Sequence, residues 1–121
     1  MAIFKVTESL TYAEEAAADL TTSLNLFAKV DANGKIVLAG SGEKVLGTIF
    51  EVPLAAVAPF GPATVQFGGI AKVKAGAAVA AGARVQSDGA GKAITLAAGI
   101  SAGIALVAAN AANEVIPVAL C

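Results

Sequence analysis

Two stretches of this chain carry one pattern. From Ala28 it reads A-K-V-D-A-N-G-K-I-V-L-A-G-S-G-E-K-V-L-G-T-I-F-E-V, and from Ala83 A-R-V-Q-S-D-G-A-G-K-A-I-T-L-A-A-G-I-S-A-G-I-A-L-V. Val30 with Val85, Gly34-Lys35 with Gly91-Lys92, Leu38 with Leu96 and Gly47 with Gly103 keep an offset of 55 to 58 residues. The Ile70–Lys92 stretch joins the halves, with Val73, Val79 and Val85 among alanines and with Gly76 and Gly82 as punctuation. β-branched residues fit a pleated surface and glycine supplies sharp turns, so the pattern predicts short strands. Two units are too few for an open solenoid. The expectation is one mainly β domain over 24–121, made of related units at about 24–67 and 79–120.

At 121 residues the chain can bury one core. Hydrophobic residues make up 57% of it, but with five Phe, one Tyr and no Trp the core must be built from small side chains. Small side chains bury little area each, which favours oligomerisation or docking on a larger surface. Eight basic and nine acidic residues leave a net charge of −1, so there is no electrostatic case for nucleic acid as a partner. With no His and a single Cys, Cys121, neither a disulfide nor an ordinary zinc site is expected, and Cys121 reads as a free thiol of a protein made in a reducing compartment. The N-terminus lacks the pattern of a secretory signal.

Residues 1–23 read as an N-terminal arm. Ile3, Phe4 and Val6 are its candidate apolar anchors, and Thr11-Tyr12-Ala13-Glu14 fits a capping box that would start a short helix over about 12–20. Asp31-Ala32-Asn33-Gly34 between two apolar runs predicts a hairpin. Residues 53–62 hold three of the four prolines and form a connecting loop. Its apolar residues Leu54, Val57 and Phe60 would be a lid over the core or a contact patch; the lid is the expected arrangement, since small clusters commonly form under long loops. Pro117 in the last apolar run predicts an edge strand or a bulge. Residues 93–113 carry no charge and contain Gly99-x-x-x-Gly103, but they are rich in Ala and Gly and match the first unit, which speaks against a membrane span.

Catalytic and binding motifs fail in turn. Gly40-Ser41-Gly42 lacks the third glycine of a dinucleotide loop, Gly91-Lys92 lacks the rest of a phosphate loop, and Asp31 to Gly34 is too short for calcium. The carboxylates are scattered, so no catalytic residue, metal ligand or cofactor-binding residue is identified and no cofactor is expected. The glycine and valine spacing resembles the hammerhead of biotinyl and lipoyl carrier domains, but Lys35 and Lys92 lack the flanking residues of a modified lysine. A small β carrier or binding module of a metabolic complex is therefore the second reading.

A closer resemblance covers nearly the whole chain. Thr11-Tyr12, Ala18-Asp19-Leu20, the run from Phe27 to Ala39, Gly42-Glu43, Gly47, Ala81 to Val85 and Gly91-Lys92 are similar to the small capsid decoration, or cement, proteins of tailed bacteriophages and prophages. The resemblance implies a compact β barrel or sandwich, β-tulip-like. It also implies a homotrimer at three-fold positions on the outside of a mature head, with the major capsid protein as partner, neither membrane nor nucleic acid bound, and synthesis in the host cytoplasm. The long Pro-rich loop departs from that pattern.

Overall fold

A computed structural model describes residues 10–120. Its elements are set first by turn chemistry. The carboxylate of Asp31 accepts the amides of Asn33 and Lys35 at 2.8 and 2.9 Å, while the Asp31 amide donates to the Lys35 carbonyl at 2.8 Å. Asp88 repeats this with Ala90 and Lys92, at 2.8, 2.9 and 2.8 Å. Gly34 and Gly91 occupy the left-handed position of each loop, with φ of 79° and 80°. That backbone would strain any side chain bearing a Cβ. The two loops are thus the same turn, built twice by Asp and Gly.

Ten strands follow: β1 (Thr11–Glu15), β2 (Phe27–Val30), β3 (Ile36–Leu38), β4 (Gly47–Glu51), β5 (Pro62–Gln66), β6 (Ile70–Lys74), β7 (Arg84–Ser87), β8 (Ala93–Thr95), β9 (Gly103–Ala105) and β10 (Val115–Leu120). They form two antiparallel sheets in the orders β1-β5-β4-β2-β3 and β6-β10-β9-β7-β8. Each strand of the second sheet takes the place of the strand five earlier in the first. The repeat seen in the structure is therefore one strand order built twice, and each copy begins with a strand, β1 or β6, that lies outside the units at about 24–67 and 79–120.

Each sheet curls on its own small core. Ala16, Ala28, Ile36, Ile49 and Val65 meet in the first, and Ala75, Val85, Ala93, Ala105 and Val118 in the second. A lone parallel bridge, Ala16 with Ile36 and Ala75 with Ala93, ties the first strand in each order to the last. One bridge is not a ladder, so neither sheet closes into a barrel and the molecule is a sandwich of two curled sheets.

Three local expectations are corrected. The segment over 12–20 is not a helix: Thr11–Glu15 pairs with Pro62–Gln66, and Ala16 and Leu20 are buried in the first core. The capping-box pattern lost because a short isolated helix is marginal, whereas the strand gains a full ladder and covers one edge of β5. Within the span 1–23, Thr11–Glu15 is thus an outer strand of the first sheet, and Ala16 and Leu20 pack in its core. Pro117 lies in an interior strand, between β6 and β9. Its carbonyl accepts the Leu106 amide at 3.0 Å, so its missing donor faces the chain just past the end of β9, clear of the β10–β6 ladder. The sequence landmarks also slip locally. The matched turns put Ala28, not Val30, opposite Val85 in the repeat, and Ser87 is the counterpart of Val30.

The sheets meet at a close joint. Phe27, on β2 of the first sheet, is fully buried in the second core beside Val73 and Ala102. Its amide donates to the Gly91 carbonyl at 2.7 Å, the Lys74 amide donates to Asn25 at 2.8 Å, and the Gly42 amide donates to Ser87 at 2.9 Å. Gly42 and Gly99 touch backbone to backbone; a Cβ on Gly42 would fall 2.9 Å from the Gly99 Cα. No described helix is long and apolar enough to cross a membrane, and residues 93–109 hold two strands, not a span.

Candidate docking surface

The sequence anchors Ile3, Phe4 and Val6 lie outside the described residues. Within them, exposed apolar side chains gather into a shallow groove beside the first sheet. Tyr12 from β1, Val30 at the end of β2, Leu46 just before β4 and Phe67 just after β5 line a depression of about 320 Å³. Turn geometry and ladder register bring them together: the Phe67 amide donates to the Leu10 carbonyl at 2.8 Å, and the Leu46 amide to Ala28 at 2.9 Å. The groove continues past Lys44 and Val45 to Ala102 and Leu120 of the second sheet. An apolar groove with a lysine on its rim suits a protein partner better than a small polar substrate.

A second cleft, of about 400 Å³, lies where the sheets adjoin, lined by Leu24, Phe50 and Ile70 among polar neighbours such as Gln66 and Lys72. The Pro-rich loop is split. Phe60 packs against the first core, but Leu54 is 100% and Val57 77% exposed, so the loop is not a lid over the core. Pro53 is buried and anchors the loop's start, which leaves Leu54 and Val57 projecting into solvent. Of the three loop residues, Leu54 and Val57 are exposed and Phe60 is half-buried.

The polar chemistry is that of surface bracing. Lys29 holds Glu43 at 2.9 Å, and Glu43 also accepts the Gly40 amide. The Lys29 bond, then the Gly40 amide, keep the Glu43 carboxyl below the usual glutamate range. Asp19 is lowered likewise by the Thr21 hydroxyl and amide. Lys35 lies 3.4 Å from Glu15, and Lys92 donates to Asn113 at 2.8 Å. The two hairpin lysines that a carrier reading would need are thus engaged by the fold. Among the described residues no group of His, Cys, Asp or Glu is placed to hold a metal ion.

A family model described as phage cement protein matches residues 9–120. The chain belongs to that family. The match spans both sheets and the groove between their ends, so the cement protein is one continuous family domain made of two repeats. No curated protein matches the sequence. Membership makes this cement protein a structural, capsid-decorating component of a phage virion. Sequence reasoning missed the groove because Tyr12, Val30, Leu46 and Phe67 are scattered over 56 residues. The one available signal was that each is a large apolar residue.

Proposed function

We propose that this cement protein binds the outer surface of a mature phage head as a homotrimer at three-fold positions. There it bridges major capsid protein subunits and stabilises the shell without catalysis. The family match along residues 9–120 carries this reading. The surface fits it: apolar side chains stand exposed in the groove, at Leu24, Phe50 and Ile70, and at Leu54 and Val57. A ligand that favours the assembled lattice stabilises it by mass action, and many copies multiply a modest contact energy. The N-terminal segment with Ile3, Phe4 and Val6 is the arm that reaches over neighbouring coat subunits, and Leu54 and Val57 of the loop add a second contact.

Co-sedimentation tests this directly. Purified protein should pellet with expanded heads at a fixed number of copies per head and remain in the supernatant with unexpanded precursors. Deleting residues 2–9 should weaken that binding while the far-ultraviolet spectrum stays that of a β protein. Absence of the protein from the pellet of expanded heads would reject the proposal.

A further inference from the structure

Strand β6 is an outer strand of the second sheet, and its free edge runs beside the first sheet. The hydrogen-bond alternation along it is fixed at both ends. The Leu120 amide donates to the Gly69 carbonyl and the Ala75 amide to the Glu114 carbonyl, so Ala71 and Val73 direct their main-chain groups at β10, while Ile70, Lys72 and Lys74 turn theirs outward. Two of these outward groups are occupied. The Gln66 side-chain amide donates to the Ile70 carbonyl at 2.9 Å, and the Lys74 amide donates to the Asn25 carbonyl at 2.8 Å. Between them, the main-chain amide and carbonyl of Lys72 have no partner among the described residues, and they open on the cleft of about 400 Å³. That cleft has apolar walls from both sheets, with Leu24, Phe50 and Ile70 at 45%, 55% and 63% exposure. Its one charged lining residue is Lys72, and Lys74 shares the same face of β6. Neither ammonium makes an ion pair with another described residue. A lysine on a free edge is by itself an ordinary guard against mispairing. A guard has no need of the exposed Leu24 and Phe50 that wall this edge from the other sheet.

We propose that this cleft takes an extended segment of a coat subunit, laid along β6, in which an acidic side chain stands two residues from an apolar one. The residue opposite Lys72 exchanges main-chain hydrogen bonds with it, as in strand addition. Side chains directly opposite each other on paired strands are in contact, so the carboxylate sits against the Lys72 ammonium with Lys74 beside it. The apolar side chain two positions along sits against Ile70, with Phe50 and Leu24 closing the space around it. Charge complementarity selects the acidic residue, and the apolar walls exclude water and strengthen the attraction. This inference rests on the head-binding reading above and names the surface and the partner chemistry that such binding uses.

Expanded heads carrying the wild-type protein, treated with a carbodiimide that joins a lysine amine to a carboxylate in contact with it, test the contact directly. Mass spectrometry of the digested heads should find Lys72 or Lys74 joined to an Asp or Glu of the coat subunit. Links to the coat from other lysines but from neither of these would overturn the proposal. Variants give a second, independent reading. Lys72→Glu and Phe50→Ser should each raise the protein concentration that half-fills the heads by about tenfold or more, while the β spectrum stays that of the wild type. Lys72→Pro removes the open amide and spares the β10 ladder, so it should weaken binding further than Lys72→Gln, which removes only the charge. Wild-type affinity in Lys72→Glu or Phe50→Ser, or equal affinity of Lys72→Pro and Lys72→Gln, would overturn the contact along β6 and leave head binding standing. Wild-type protein that stays in the supernatant of expanded heads would overturn head binding and this contact together.

Discussion

Two aspartates fix the register of the molecule. Asp31 and Asp88 each accept two amides of their own loop, and those bonds hold the hairpins β2–β3 and β7–β8 in the same frame. Replacing either by Ala leaves turn amides without their acceptor, at a cost of about 1–2 kcal/mol. Asp31→Ala and Asp88→Ala should each lower the melting temperature by several degrees, and by similar amounts, as read by calorimetry. Glu43 offers a test by pH. Its folded-state carboxyl is held below the ordinary range by Lys29 and the Gly40 amide, so its stabilisation is present above the ordinary glutamate pKa and is lost as pH falls through the lowered value. Glu43→Gln should therefore melt earlier than wild type at neutral pH, and the gap should close in acid. A gap that persists at low pH would show that the Lys29 pairing is not its source.

Strands and loops differ in how far the sequence reveals them. The Asp-x-Asn-Gly-Lys and Asp-Gly-x-Gly-Lys turns name their hairpins outright, because the residues that accept and bend the backbone are local. Strand β1 does not announce itself. Thr-Tyr-Ala-Glu-Glu has neither apolar alternation nor β-branched density, and only pairing with the distant β5 makes it a strand. The joint between sheets was hidden for the same reason: Phe27 reads as a core residue of its own hairpin, yet it fills the core of the other sheet. Phe27→Ala should cost about 3–5 kcal/mol, since the cavity opens at the contact between the repeats. Leu54→Ser and Val57→Ser, at exposed loop positions, should change stability by no more than about 0.5 kcal/mol while weakening head binding. Chemical denaturation curves of the three variants separate packing from docking. Loss of stability in the loop variants comparable to that of Phe27→Ala would assign the loop to the core.

The whole molecule is a duplicated strand order with unequal surroundings. The same five-strand path is built twice, but the second copy is covered by the first, and the first copy leaves its groove open. Alanine and small apolar residues suffice where the sibling sheet supplies the cover, while larger apolar residues line the open groove. That asymmetry, with family membership along residues 9–120, supports the proposal of a protein that acts by contact area and copy number. The central claim is that the shell is stronger with the protein than without it. The most direct measurement is the temperature at which filled heads release DNA, followed by dye fluorescence on heads that carry the protein, heads that lack it, and lacking heads to which it has been added back. Release at a lower temperature from the lacking heads, returned to the original value by the added protein, is the predicted result; identical release temperatures in all three would contradict it.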